Sequence, residues 1–206
     1  MDPALVSGLR RFVREPPGSR PAPGSGPRCE LCPLSLAEDH KHLLDLEERR
    51  IVCVCPTCWS VRSGDARYRP TGSRTLWLEP FDLSDELWAA FQIPIGLAFF
   101  MRSTSTGTIV GLYPSPAGAT ECELDLDAWD RLVALNPVLE DLDPDAEALI
   151  VNRLATPHVF AIAPLDDCYR LVGTIKATWE GISGGAAMEA AVQRYFDDLR
   201  GVAMVR

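Results

Sequence analysis

The apolar residues of this chain are gathered in short runs that predict a mixture of strands and helices. Runs rich in β-branched, aromatic and other large apolar residues predict buried strands over residues 74–78, 95–101, 108–113, 120–124 and 158–163. Apolar residues at three- or four-residue spacing predict helices over residues 85–91, 127–135, 144–152 and 186–199. Residues 169–179 fit either a helix or an extended segment. The sequence therefore predicts an α+β fold with a mixed, mainly antiparallel sheet and flanking helices.

The first 28 residues differ from the rest because they carry little apolar pattern. Residues 15–28 are dominated by Pro, Gly, Ser and Arg, which cannot recover their ordering entropy through burial. We expect 1–28 to be a flexible leader, although Leu5, Leu9 and Phe12 have the spacing of a short amphipathic helix that docks on a partner. The ordered chain is predicted to divide into a small cysteine-rich domain, residues 29–70, and an α+β domain, residues 71–206.

Charge and hydropathy exclude two classes of partner. The formal net charge of −9 argues against nucleic-acid binding, which depends on a Lys/Arg-rich surface. No run reaches the ~18 apolar residues of a membrane span, and no secretory signal precedes the ordered chain. The expected location is therefore cytoplasmic. Ten acidic residues lie between 121 and 150, where Arg131 is the sole basic residue; they form either a solvated helical face or an acidic docking surface.

The cysteines carry the clearest chemical signal. Five of the seven cysteines and two of the three histidines fall between residues 29 and 58. Cys29 and Cys32 form one CxxC pair, and Cys55 and Cys58 form a second pair after 22 intervening residues. A two-residue gap turns the chain tightly enough for both sulfurs to reach one ion, and two such turns complete a tetrahedron. The spacing predicts a metal-binding knuckle of the zinc-ribbon or rubredoxin-like type.

Three further side chains are candidate metal ligands, namely Cys53, His40 and His42. If residues 51–55 form a strand, Cys53 and Cys55 point to one face, so Cys53 could replace one of the four cysteines or line the site. A Cys3His site, or a second ion held by Cys53, His40 and His42, is another interpretation, and surface histidines in a charged loop are a third. A Rieske iron–sulfur site is excluded because the chain lacks its Cys-x-His and Cys-x-x-His pairs.

Both zinc and iron suit four thiolates. The sequence Cys55-Pro-Thr-Cys58 resembles the second knuckle of rubredoxins, small iron electron carriers, but Trp59 stands where those proteins place a glycine. This departure favours structural zinc, with iron as the alternative.

A match to the nucleophile elbow of hydrolases, G-x-S-x-G, occurs at Gly181–Gly185 around Ser183. That fold takes its histidine after the serine, and no histidine follows His158. We therefore expect a glycine-rich start to the last helix rather than a catalytic serine, and no catalytic residue is assigned. Structural roles are expected for His158, Cys122 and Cys168; Asp166 and Asp167 are expected to be turn residues, with acid or base chemistry as the alternative.

Cys29–Cys58, together with five later segments, resembles an uncharacterised bacterial family of cysteine-rich accessory proteins encoded beside uptake nickel–iron hydrogenases. The segments are IPIGLAFF, YPSPAGATE, LIVNR, CYRLVG and WEGISGG. The resemblance implies association with such a hydrogenase, in maturation, assembly or electron transfer. On matching positions it points to seven metal-site candidates: Cys29, Cys32, His40, His42, Cys53, Cys55 and Cys58.

Three hypotheses follow from the whole sequence. The first is a non-enzymatic, metal-binding accessory or adaptor protein whose partners are hydrogenase subunits or maturation factors. The second is a rubredoxin-like iron electron carrier serving a hydrogenase. The third is an enzyme working at Cys53, His40 and His42, which requires an open coordination position.

Overall fold

The computed structural model describes residues 26–38, 40–181 and 184–206 of the chain. The strands in this part are β1 (Lys41–Asp45), β2 (Arg50–Val54), β3 (Tyr68–Pro70), β4 (Leu76–Trp77), β5 (Leu97–Ser103), β6 (Thr108–Ser115), β7 (Gly118–Cys122), β8 (Glu147–Asn152), β9 (Val159–Pro164) and β10 (Met204–Val205). The helices are α1 (Pro56–Arg62), α2 (Asp85–Ala90), α3 (Leu126–Leu135), α4 (Leu165–Thr178), α5 (Gly185–Val202) and a 3₁₀ helix, Pro137–Asp141. Most of the predicted leader, and Ser183 of the G-x-S-x-G match, lie outside the described residues.

The cysteine-rich segment contains a small antiparallel sheet with the strand order β2-β1-β3. Side chains alternate between its two faces. Leu43 and Val52 pair directly across β1 and β2, and with Val54 they pack on the face that contacts Cys29 and Cys55. Leu44 points to the opposite face and joins the core of the second sheet, where Ile51 also packs. The small sheet therefore packs against the cysteine cluster on one face and against the core of the large sheet on the other.

The large sheet has seven strands in the order β10-β4-β9-β8-β5-β6-β7. The pair β10–β4 is parallel and the other five pairs are antiparallel. One face packs on α4 and α5, and the other face packs on α2, α3 and the 3₁₀ helix. This three-layer arrangement confirms the predicted α+β fold with a mainly antiparallel sheet and flanking helices.

Residues 144–152 were wrongly predicted to be helical. Their second part is β8, which lies between β5 and β9 and is buried along its whole length. A strand covered on both faces reads as a continuous apolar run, and such a run cannot be told from a buried helix by periodicity alone. The favourable helix propensities of Glu147, Ala148 and Leu149 pointed the same way.

The ambiguous stretch 169–179 lies mostly in α4. Leu165, Cys168, Leu171, Val172 and Ile175 of this helix are buried at three- and four-residue spacing. Helix α2 is capped, since the Ser84 hydroxyl accepts a hydrogen bond from the backbone N–H of Leu87 at 3.2 Å. No helix in the described part of the chain combines the length and hydrophobicity needed to cross a membrane.

Candidate metal centres

The four cysteines of the two CxxC pairs meet at one end of the small sheet. Cys29 and Cys32 precede β1, whereas Cys55 follows β2 directly and Cys58 lies in the first turn of α1. Their four sulfur atoms all lie within 4.8 Å of one another. The Cys55 sulfur caps α1, because it accepts a hydrogen bond from the backbone N–H of Cys58 at 3.4 Å. Pro56 at the helix start needs no partner for its nitrogen.

The spacing of these sulfurs suits a single ion. Cys32 Sγ and Cys55 Sγ are 3.7 Å apart, far longer than the ~2.05 Å of a disulfide bond. A tetrahedral ion with metal–sulfur bonds of ~2.3 Å separates its ligands by about 3.8 Å. Four cysteines at this spacing can hold a metal ion without rearrangement of the chain.

The electrostatic environment differs among the cysteines of this site. Burial raises the pKa of the Cys58 thiol, and hydrogen bonds with the Cys32 and Cys55 sulfurs raise it further, to about 12. Burial also raises the pKa of Cys29, but backbone hydrogen bonds from Cys55 and Leu31 outweigh that effect and bring it down to about 7. The protein alone therefore favours the thiolate form of Cys29 and the thiol form of Cys58, and a divalent cation at this position would favour the thiolate form of both.

The remaining three candidates form a second cluster. Donor atoms of His40, His42 and Cys53 lie within 4.8 Å of one another. His42 stands directly opposite Cys53 in the register of β1 and β2, and the two imidazole rings are 4.7 Å apart. The structure thus separates the seven predicted residues into two groups, and Cys53 lies with the histidines instead of with Cys55.

Asp166 is the site residue whose role the sequence did not indicate. It lies in the first turn of α4, and its carboxylate accepts a hydrogen bond from His42 Nδ1 at 2.8 Å. The two residues are 124 positions apart, so no local pattern connects them. Glu30 was also not anticipated; its carboxylate accepts from the backbone N–H of Cys53 at 3.1 Å and pairs with Arg50.

A wide open cavity of about 780 Å³ lies beside the second cluster. Its wall includes both histidines, Asp166 from α4, and the side chains of Trp59 and Arg69. The residues expected to be structural lie elsewhere: Cys168 is fully buried in α4, Cys122 is half-buried in β7, and His158 is exposed.

The sequence profile of a family of unknown function, DUF5947, matches residues 28–203. The chain belongs to this family. The match covers both metal-site candidates and strands β1 to β9, so the small sheet, the cysteine cluster and the large sheet apart from β10 fall within one family unit. No curated protein and no solved structure matches the chain. The predicted resemblance to an uncharacterised family is therefore confirmed, and the hydrogenase connection stays a prediction.

Proposed function

We propose that this protein is a metal-binding accessory or adaptor protein in which zinc, held by Cys29, Cys32, Cys55 and Cys58, fixes the small sheet as a docking element. The convergence of four sulfur atoms at the spacing of a tetrahedral ion carries this proposal. A site whose four ligands all come from the protein is closed, which is the arrangement of structural zinc rather than of catalytic zinc.

The adaptor role is supported by the way the small sheet is built. One face of the sheet packs against Cys29 and Cys55. The other face packs against the core of the large sheet through Leu44 and Ile51. An ion that orders this element therefore orders the protein surface formed by β1, β2 and α1. Val61 of α1 is 71% exposed, and Leu34 of the first knuckle is 55% exposed. These apolar side chains beside the site are suitable contacts for a protein partner.

The proposed partner is a nickel–iron hydrogenase subunit or one of its maturation factors. Its support is the sequence resemblance to accessory proteins encoded beside such enzymes, carried by the cysteine block and by segments such as Cys168–Gly173. The net charge of −9 is consistent with a protein partner and with avoidance of nucleic acid.

A second candidate function is electron transfer by iron at the same four cysteines. It is favoured by the hydrogen bond from the Cys58 backbone N–H to the Cys55 sulfur, because such bonds to ligand sulfurs tune the potential of an iron site. Metal analysis and a visible spectrum of protein purified without oxygen distinguish the two candidates. Zinc with a colourless protein supports the adaptor, and a colour that bleaches on reduction supports the carrier.

The matched control for the site is Cys122→Ser, since Cys122 lies in β7 outside both clusters. Cys58→Ser is expected to lose the ion of the four-cysteine site, and Cys122→Ser is expected to keep it. If fresh, reduced wild-type protein contains no stoichiometric metal, the result contradicts the proposed function.

The hydrogenase connection has its own test. The purified protein is mixed with purified hydrogenase subunits and with purified maturation factors, and complex formation is measured by size-exclusion chromatography. The proposal predicts a complex with one of them for the wild type and for Cys122→Ser, and its loss in Cys58→Ser. Absence of a complex with every one of these proteins contradicts the proposed partner.

A further inference from the structure

We propose a second metal site, formed by His40 Nε2, His42 Nε2 and Cys53 Sγ, that binds a divalent transition-metal ion and keeps its fourth coordination position open. This inference goes beyond the adaptor function, because it concerns a separate ion with different ligands and a different accessibility. Its ligand class is a borderline-soft ion such as Zn²⁺, for which two imidazoles and one thiolate are suitable donors.

His40 is oriented for this role by its backbone neighbours. Its Nδ1 lies 2.9 Å from the carbonyl oxygen of Ala37 and 3.1 Å from that of Glu38. A carbonyl oxygen only accepts hydrogen bonds, so these contacts assign the ring hydrogen to Nδ1 and leave a lone pair on Nε2. That Nε2 is buried and has no hydrogen-bond partner among the described residues. A buried acceptor without a partner is unfavourable, and an ion removes this cost.

His42 reaches the same state by a different route. Its Nδ1 donates to the Asp166 carboxylate at 2.8 Å, which again places the lone pair on Nε2. A carboxylate behind a histidine is the usual arrangement at metal sites, where it fixes the tautomer and the ring orientation and makes the ligand more basic. Both imidazoles are thus held by their Nδ1 atoms, and both present Nε2.

Cys53 supplies the third donor from the facing strand. It pairs with His42 across β1 and β2, and side chains directly opposite in an antiparallel pair project to the same face. The Cys53 backbone is fixed at both polar atoms, because its N–H donates to Glu30 and its carbonyl accepts from the Glu30 N–H at 2.9 Å. Its half-buried sulfur completes the group of donors that lie within 4.8 Å of one another.

The fourth position distinguishes this site from the four-cysteine site. The group offers three protein donors, and His40 and His42 both line the open cavity of about 780 Å³. An ion with three protein ligands next to such a cavity has room for water or for a donor atom of a small ligand. The structure therefore indicates an exchangeable ion here and a permanent one at the four cysteines.

The test is the number of zinc ions bound by full-length, reduced protein after equilibration with Zn²⁺ and removal of free metal. Two ions per chain are expected for the wild type. His42→Ala and Cys53→Ala are expected to bind one, whereas the matched controls His158→Ala and Cys122→Ala keep two. Asp166→Ala tests the positioning of His42: it is expected to weaken the second ion on the order of 10–100-fold in dissociation constant and to leave the first unchanged.

Titration with Co²⁺ separates this inference from the proposed function, because thiolate-to-cobalt absorption increases with the number of bound sulfurs. The first equivalent is expected to give the spectrum of four thiolates and to be abolished by Cys58→Ser. The second is expected to give the weaker spectrum of one thiolate and to be abolished by Cys53→Ala.

One ion per chain, unaffected by Cys53→Ala, overturns the second site and leaves the adaptor proposal standing. A second ion that persists in both His42→Ala and Cys53→Ala also overturns it. If either variant unfolds, as judged by circular dichroism, His40→Gln decides the question, because His40 precedes β1 and has no partner in the sheet. Retention of both ions in that variant refutes the assignment.

Discussion

Replacing Cys58 by serine tests how far the small sheet depends on an ion. The apolar interior on the cysteine side is small, and consists of Leu43, Val52, Val54 and Tyr68. At about 1.5–3 kcal/mol for each buried side chain, these four contribute about 6–12 kcal/mol. A structural zinc ion contributes about 10–16 kcal/mol in small zinc domains. Loss of such an ion would therefore remove about as much stabilisation as these four side chains supply.

We expect Cys58→Ser to open the cysteine side of the small sheet and to leave the large sheet intact. Hydrogen exchange monitored by mass spectrometry measures both regions in one experiment. Peptides covering β2 are expected to lose most of their protection, because local opening no longer has to release the ion. Peptides covering β8 are expected to exchange as slowly as in the wild type, since that strand is central in the seven-stranded sheet and its Leu149 and Val151 pack in the core on the α2 and α3 side.

Chelation of the wild-type protein is expected to reproduce the exchange pattern of Cys58→Ser, and Cys122→Ser is expected to resemble the untreated wild type. If β2 remains as protected after metal removal as before, the contacts of Leu44 and Ile51 with the large sheet are sufficient for its stability. The reasoning that assigns most of the stability to the ion is then refuted.

Three further predictions concern stability, measured by urea unfolding. Burial raises the pKa of Asp45, but hydrogen bonds from Arg67 outweigh this effect and hold the pKa below its ordinary value. The stabilisation of the fold by the ionised Asp45 is therefore present at neutral pH and is lost as the pH falls through the folded-state pKa. Asp45→Asn should cost about 1.5–3 kcal/mol at pH ~7, because it removes charge-assisted hydrogen bonds while Arg67 keeps Glu47 and Glu48, and its difference from wild type should shrink in acid. Gly72→Ala should cost about 1–3 kcal/mol, because the added carbon would lie 2.8 Å from Glu147 Cγ and 2.9 Å from the Ala146 carbonyl oxygen. Its control is Gly173→Ala in α4, where the added carbon meets nothing within 4 Å and should stabilise the protein by about 0.5–1 kcal/mol. Phe100→Ala should cost about 3–5 kcal/mol, because this fully buried ring packs 5.1 Å from that of Phe91. An unchanged unfolding midpoint in Asp45→Asn, Gly72→Ala or Phe100→Ala contradicts the corresponding argument.

The cysteine cluster was the part of the site most accessible from sequence. A CxxC gap restricts the chain so strongly that two such pairs indicate a shared ion before any tertiary contact is known. The sequence did not show that Cys53 and Cys55 belong to different clusters. Alternation along a strand predicts that both sulfurs lie on one face, but Cys55 lies after the end of β2, where α1 begins and the alternation no longer applies. In the structure Cys55 is the cap of α1, and Cys53 alone of the two faces His42.

Long-range contacts explain the remaining differences. The hydrogen bond between His42 and Asp166 depends on how the small sheet packs against α4, and neither segment carries a local signal of the other. The misassigned β8 has the same origin: its central place in the sheet outweighs the helix propensity of its residues. By contrast, α5 was predictable because Met188, Val192, Tyr195 and Leu199 repeat along one face and need no knowledge of the partner.

The Asp166 carboxylate belongs to a helix on the large sheet, and the imidazole that it orients belongs to the small one. If an ion is bound to His42, separation of β1 from α4 removes the carboxylate from the imidazole and weakens binding of that ion. By linkage, the ion resists such a separation with the same free energy. A binding partner that separates the two sheets would therefore also weaken binding of that ion.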